Sequence, residues 1–197
     1  IAAKSECDVI YAPTSLYDAA HATNIIPSGV ALPMEGEVRP HFFGGVATVV
    51  SKLFNHIPAD FAIFGEKDFQ QLAVIRQMVR DLDINISISE HPTIREADGL
   101  ALSSRNQYLT PAQRRLAPQM YAQMQNTCAL IKSGTDINAA ICLAKDQLQK
   151  AGFGRIDYFD LREPDDFQPC NKPKATSRVF AALWLGSTRL IDNCAIG

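Results

Sequence analysis

Long apolar runs and an excess of charge of one sign are both missing from this sequence. No apolar run approaches the ~20 residues that a membrane-spanning helix needs, so no transmembrane segment is predicted. The net charge of −2 gives no general attraction to nucleic acids or anionic membranes. No signal peptide is visible, although a shortened start could hide one because the chain begins at Ile1. We expect a cytoplasmic protein with no membrane or nucleic-acid partner.

Cysteine and histidine are few and widely spaced. The five cysteines form no C-x-x-C pair, which argues against a disulfide framework or a zinc site and favours reduced thiols. The four histidines are equally dispersed, so no metal site is predicted. Internal repeats and low-complexity stretches are absent. What remains is an ordinary globular composition, 47% hydrophobic and 20% charged, in 197 residues that allow one large domain or two small ones.

The segment from Phe61 to Ile88 predicts a strand, a helix and a second strand. Four apolar residues, 61–64, favour a strand buried on both faces, and Asp68 is a candidate N-cap for the next helix. That helix has apolar residues at helical spacing, and the isoleucines at 84, 86 and 88 then alternate with polar residues. In such a βαβ unit ligands bind outside the carboxyl ends of the strands. Gly65–Asp68 should therefore lie at a ligand site.

Two interpretations of Gly65–Asp68 remain open from the pattern alone. Glycine permits close backbone approach, helix N-terminal amides favour an anion, and Lys67 adds a positive charge, which together suit a phosphate. The alternative is a strand-to-helix turn with solvated charges. Ser103–Arg105 pose the same choice in the polar loop 95–109, between a phosphate-binding set and a solvated turn.

The remaining pattern predicts further elements. We expect a strand at Val9–Tyr11 and a helix from Gly44 to Pro58. The strand after residue 84 should stop at His91, before Pro92. In the second half, Thr110 begins a capping box, Pro118 predicts a kink or late start, and Asp136 and Gly152 should cap another helix. Strands at 156–161 and 179–185 then suggest a small α+β domain with an antiparallel sheet.

Two long motifs carry a family resemblance. Gly-Glu-Lys-Asp-Phe-Gln-Gln at 65–71 and Asp-Gly-Leu-Ala-Leu-Ser-Ser-Arg-Asn at 98–106 are accompanied by shorter matches at 34–36, 39–40, 49–55 and 190–193. Together they resemble the pantothenate synthetase (pantoate–β-alanine ligase) family, over nearly the whole chain from about Asp8 to Asn193. The resemblance implies an α/β fold: residues 1–93 as the second half of a Rossmann-like parallel sheet of nucleotidyltransferase type, and residues 94–197 as a small α+β domain closing over the ATP site.

The resemblance also implies the chemistry. Enzymes of this family condense pantoate with β-alanine through a pantoyl adenylate, consuming ATP with Mg²⁺ and releasing AMP and pyrophosphate, and a homodimer is expected. Lys67, Ser103 and Arg105 are the implied catalytic residues, and Gln71 is the implied pantoate contact. The implied ATP-binding residues are Gly65, Glu66, Lys67, Asp68, Ile94, Leu102, Ser103, Ser104 and Arg105.

The sequence departs from the family pattern in two places. Phe42 occupies the position of a family histidine, so either the loop has drifted or His41 supplies the imidazole from a shifted backbone. The His-x-Gly-His motif of the family's N-terminal third is absent, so the chain corresponds to the later two thirds and is expected to be inactive by itself. The alternative is a non-catalytic nucleotide-binding or interaction module.

Overall fold

The computed structural model describes residues 7–197 and contains a parallel and an antiparallel sheet. Its helices and strands follow one another along the chain as α1 (Glu35–Val38), α2 (Phe42–His56), β1 (Phe61–Gly65), α3 (Phe69–Asp81), β2 (Ser87–His91), α4 (Pro111–Leu116), α5 (Gln119–Lys132), α6 (Ile137–Ala151), β3 (Ile156–Arg162), β4 (Arg178–Leu185) and β5 (Thr188–Ala195). The mixed α/β class predicted from the sequence is confirmed. Among the described residues, no helix is both long and apolar enough to cross a membrane.

β1, α3 and β2 form the predicted βαβ unit. The two strands pair in parallel, from Phe61 opposite Ser87 to Gly65 opposite His91. α2 and α3 cover one face of this pair, with Ala47, Ile75 and Met78 buried between them. β2 ends at His91, as predicted from Pro92. It begins only at Ser87, so Ile84 and Ile86 lie before it.

The other face of β1 is open in the described part of the chain, and here one prediction is wrong. Phe61 and Ile63 are 69% and 71% exposed, so β1 is not buried on both faces. Alternate strand residues point to opposite faces, and helices cover only the side to which Phe64 and Ile88 contribute.

Two local predictions in the first half are also wrong. Val9–Tyr11 form no strand and are exposed, because no neighbouring strand offers these residues hydrogen-bond partners within residues 7–197. Asp68 stands at the N-cap position of α3, but its side chain caps no backbone amide. A turn of 3-10 helix, Glu66–Asp68, precedes α3 and places the Asp68 carboxylate beside Lys67 instead.

The second half builds an antiparallel sheet covered by helices. β3, β4 and β5 lie in that order, and α5 and α6 pack on the sheet through buried residues that include Met124, Leu148 and Leu183. The capping box at Thr110 and the caps at Asp136 and Gly152 form as predicted, and Pro118 separates α4 from α5. β5 is a strand that was not predicted from the sequence.

The two sheets meet across an aromatic cluster. Phe69 at the start of α3 packs edge-on against Phe167 and Phe180, with ring centroids 6.3 and 5.8 Å away. Met34, just before α1, is buried in the same cluster. This contact sets the start of α3, and hence the turn that holds Lys67, against β4 and β5. A domain boundary at 93/94 would fall between β2 and the loop that follows it, and it stays a prediction.

Candidate active site

Lys67 lies on the short turn at the carboxyl end of β1. Its side chain is 16% exposed, and Nζ is 3.5 Å from Asp68 Oδ2. The turn is held to β5, because the Asn193 side-chain amide donates to the carbonyl oxygens of Glu66 at 2.8 Å and Lys67 at 3.1 Å. The ammonium group is therefore partly sheltered from water while its backbone is held in place.

The loop after β2 brings Ser103 and Arg105 to the same region. Arg95 and Ala101 form an isolated antiparallel bridge, and the Ser103 hydroxyl accepts the Arg105 amide at 3.2 Å. Asn106 donates to the Ala101 carbonyl at 3.1 Å, which closes the loop on itself. These bonds order the predicted loop and present Arg105 towards the turn of Lys67.

Two adjoining crevices share three cations. Lys67, Arg105 and Arg189 line both of them. We call the first the Ser103 crevice; its further lining includes Ser103, Asn106, Tyr121 and Asp192. We call the second the Gln71 crevice; its further lining includes Met34, Glu35, Arg39, Phe42, Asp68, Gln71 and Tyr158. The structure thus brings Lys67, Asp68, Gln71, Ser103 and Arg105 together from two separate segments.

Five predicted ATP-binding residues do not line either crevice. Glu66 turns its carboxylate to the opposite side, where it lies 3.8 Å from Arg178 Nη2. Ile94 and Leu102 are 60% and 58% exposed and are joined by a backbone hydrogen bond of 2.8 Å. Gly65 ends β1, and Ser104 is exposed in the loop.

Glu35 is the centre of a charged network that the sequence analysis missed. Its buried carboxylate accepts hydrogen bonds from the Tyr158 hydroxyl at 2.8 Å and from Arg189 Nη1 at 3.0 Å, and Arg39 Nη1 lies 3.5 Å away. The guanidinium of Arg189 also donates through Nε to Asp157 at 2.6 Å. Met34–Gly36 was noted only as a motif, and nothing in the sequence connects it to residues more than 120 positions later.

The backbone around Glu35 is shaped for this contact. Gly36 is required there because a Cβ atom would lie 1.8 Å from the Ala31 carbonyl oxygen. Gln70, buried on the first turn of α3, accepts the Glu35 amide at 3.2 Å and donates to the Pro33 carbonyl at 2.7 Å. Gln70 is therefore a structural anchor, which leaves its neighbour Gln71 to face the crevice.

Burial and charge shift the pKa values of two groups in the network. Burial first, and then the nearby Glu35 carboxylate, raise the pKa of the Tyr158 hydroxyl well above its usual range, so it stays a hydrogen-bond donor. Burial would raise the pKa of Asp157, but hydrogen bonds from Arg189 and Trp184 outweigh it and hold the pKa below its usual range. Arg189 is consequently committed to Glu35 and Asp157.

Arg105 and Lys67 are more available to a ligand than Arg189 is. Within residues 7–197 Arg105 makes no side-chain ion pair, whereas Arg189 is paired with two carboxylates. Among the described residues, Lys67 meets one carboxylate, that of the partly exposed Asp68, at 3.5 Å. Two available cations on a shared wall of two crevices are suited to an anion with several oxygens.

His41 is not brought to this wall. Phe42 lines the Gln71 crevice, where the Arg39 guanidinium stacks 3.9 Å above its ring. His41 is exposed and lines a separate cavity beside Asn24 and Gly44. The structure therefore favours loop drift over replacement of the family histidine by His41. No group of three potential metal-ligating side chains occurs in the described residues.

This chain is similar in sequence to the proteins of one enzyme family. The family described as pantoate-beta-alanine ligase matches residues 1–195. A pantothenate synthetase of Caulobacter vibrioides is 48% identical over 196 residues, which cover 97% of this chain and 69% of that protein.

Solved structures show the same fold. The crystal structure of pantothenate synthetase from Thermus thermophilus superimposes with a TM-score of 0.87 at 38% identity, over 92% of this chain and 66% of that one. A pantoate-beta-alanine ligase from Francisella tularensis, complexed with beta-gamma ATP and beta-alanine, gives a TM-score of 0.70 at 31% identity, over 89% of this chain and 59% of that one. This chain thus spans about two thirds of the length of such relatives, and it belongs to the pantoate–β-alanine ligase family of ATP-dependent ligases.

Proposed function

We propose that this chain provides the nucleotide and pantoate sites for ATP-dependent condensation of pantoate with β-alanine. The observation that carries the proposal is the shared wall of Lys67 and Arg105, with Ser103 on one side and Gln71 on the other. The crevices hold about 10 and 40 Å³, so a nucleotide phosphate chain and a small carboxylic acid would meet at Lys67 only after the two crevices widen.

The first step joins the two substrates at phosphorus. A pantoate carboxylate oxygen attacks the α-phosphorus of ATP, the bond to the β-phosphate bridging oxygen breaks, and pyrophosphate leaves with the extra charge. Such a step is accelerated mainly by positioned cations and donors. Lys67 and Arg105 supply the positive charge, and the Ser103 hydroxyl can donate to a phosphate oxygen.

The second step releases AMP. The β-alanine amine attacks the acyl carbon of pantoyl adenylate, the acyl–oxygen bond to AMP breaks, and the amine loses a proton. Gln71 fits a hydrogen bond to pantoate, because it lines the crevice opposite Ser103 while Gln70 is occupied by the backbone. Asp68 lines this crevice too, and its carboxylate orients Lys67.

The five residues outside the crevices are retained as weaker candidates. Gly65, Glu66, Ile94, Leu102 and Ser104 could reach ATP only through backbone atoms or after the loop 95–109 closes over the nucleotide. Mg²⁺ would enter with ATP and neutralise phosphate charge. The described residues offer no three-ligand cluster, so phosphate oxygens would hold most of its coordination sphere. We further propose a division into residues 1–93 and 94–197, and a homodimer.

The test places the N-terminal third of the Caulobacter vibrioides relative in front of Ile1. This hybrid protein, supplied with ATP, Mg²⁺, pantoate and β-alanine, should release pyrophosphate and form pantothenate detectable by mass spectrometry. A hybrid carrying Lys67→Ala is the matched control. ATP-dependent pantothenate formation that the control lacks would support the proposal, and a hybrid that folds but forms none would contradict it.

A second function, nucleotide binding without catalysis, is favoured because Lys67, Ser103 and Arg105 line one crevice within this chain. It predicts that the 197-residue chain binds ATP in calorimetry and that the folded hybrid binds ATP equally well without forming a product. Pantoate binding separates the two functions, because only the ligase requires it.

A further inference from the structure

We infer that Asn193 is the positioning residue for Lys67, and that the pair Asp192–Asn193 on β5 fixes two segments of the proposed nucleotide site relative to each other. These two segments, which we call its arms, are the Glu66–Asp68 turn and the loop 95–109. The inference rests on the proposed function and adds a role for the 190–193 motif, to which the sequence analysis assigned none. Side chains alternate along a strand, so Asp192 and Asn193 point to opposite faces of the sheet.

Asn193 points to the face that carries the Lys67 turn. It is 3% exposed, and its amide nitrogen donates to the carbonyl oxygens of Glu66 at 2.8 Å and Lys67 at 3.1 Å. Both hydrogens of the NH₂ group are thus used on two successive carbonyls of the turn. No other side chain of the described residues donates to these carbonyls.

Arg178 fixes which end of the Asn193 amide faces the turn. Arg178 Nε donates to Asn193 Oδ1 at 2.9 Å, and a guanidinium can only donate, so the oxygen must face it and the NH₂ must face the turn. The same guanidinium lies 4.4 Å above the ring of Phe69, the first residue of α3. Arg178 and Asn193 therefore hold both sides of the turn that carries Lys67.

Asp192 points to the opposite face and holds the other arm. Its carboxylate accepts two hydrogen bonds from Arg95, at 2.6 and 3.0 Å, and is almost fully buried. Arg95 also donates to the Gly99 carbonyl at 3.1 Å and stacks 3.4 Å above the Tyr121 ring. These contacts anchor the loop that leads to Ser103 and Arg105.

Adjacent residues of one strand thus anchor both arms. The anchor of the Lys67 turn and the anchor of the loop that carries Arg105 are separated by a single peptide link, between Asp192 and Asn193, which a sheet strand keeps rigid. Substituting a buried polar group that is hydrogen-bonded destabilises the segments it binds. For Asn193, the destabilised segment would be the Glu66–Asp68 turn.

The test uses the 197-residue chain with Asn193→Asp and Asn193→Ala. The first variant keeps the acceptor for Arg178 but sets a carboxylate oxygen against two carbonyl oxygens, and the second removes the amide. Val179→Ala is the control, because Val179 is fully buried in the same sheet but belongs to the core cluster shared with α5 and α6.

Two measurements decide the outcome. Amide hydrogen exchange of segment 65–72, followed by mass spectrometry, should accelerate about tenfold or more in both Asn193 variants and remain unchanged in Val179→Ala. ATP affinity, measured by calorimetry with Mg²⁺, should fall roughly 5- to 150-fold, the loss expected for two hydrogen bonds.

Unchanged exchange in segment 65–72 would overturn the inference, and so would faster exchange with unaltered ATP affinity. A wild-type chain that binds no ATP would contradict the proposed nucleotide site instead. In that case the exchange measurement alone still decides whether Asn193 holds the turn, so the two failures are distinguishable.

Discussion

Replacing Glu35 by glutamine should weaken the connection between α1 and the antiparallel sheet. The buried Glu35 carboxylate lies on α1, whereas its donors Tyr158 and Arg189 lie on β3 and β5. Glutamine has nearly the same shape but no charge, and it sets an NH₂ group among donors. The substitution therefore removes the ion pair with little change in packing.

The contacts of Glu35 determine how far its substitution should lower the free energy of unfolding. Removing one partner of a buried ion pair typically costs ~3–5 kcal/mol. Two features reduce this figure: Arg189 keeps Asp157 at 2.6 Å, and glutamine keeps one acceptor oxygen for Tyr158. We expect a loss of about 2–4 kcal/mol in the free energy of unfolding. With a slope of ~2 kcal/mol per molar, the urea midpoint should fall by ~1–2 M.

Trp184 provides the assay because it is the single tryptophan of the chain and donates to Asp157, the other partner of Arg189. Urea unfolding followed by its fluorescence reports on this sheet directly. Glu37→Gln is the matched control: Glu37 stands on the same short helix, is exposed, and should cost less than ~0.5 kcal/mol. Equal midpoints for the two variants would show that the Glu35 network does not hold α1 to the antiparallel sheet.

Three further predictions concern the site and its support. In the hybrid protein, Lys67→Ala should lower the single-turnover rate of adenylate formation ~10²–10³-fold with a smaller loss of ATP affinity, because charge grows on the departing pyrophosphate; an intact rate with weakened ATP binding would make Lys67 a binding residue only. Gln71→Ala should weaken pantoate ~10- to 150-fold and leave ATP binding unchanged in calorimetry, whereas equal losses would mark Gln71 as structural. The pKa of Asp157 is lower in the folded than in the unfolded protein, so the contribution of Asp157 to stability is present above about pH 4 and is lost as the pH falls through the folded pKa. Asp157→Asn should therefore be less stable than the wild type at pH 7 and should lose less stability on acidification to about pH 3, as measured by circular dichroism. Parallel losses of stability in both proteins would refute this.

Local sequence determined the elements whose signals are contained within a few residues. The Thr110 capping box, the Asp136 cap, the left-handed Gly152 and the break at Pro118 all formed where predicted. Each depends on a hydrogen bond or a backbone restriction a few positions along the chain, so the pattern alone suffices. The motif around Lys67 was likewise placed correctly at the carboxyl end of a parallel strand.

Contacts between distant segments could be settled only by tertiary structure. The carboxylate of Glu35 meets Tyr158 and Arg189, and the Asn193 amide reaches back to Lys67 across 126 positions. Whether an apolar side chain is buried also depends on which distant segment covers it. Phe61 and Ile63 are therefore exposed, although the apolar run 61–64 favoured burial. A hydrogen bond or a covered face needs a partner in space, and the periodicity of one segment carries no information about which other segment will provide it.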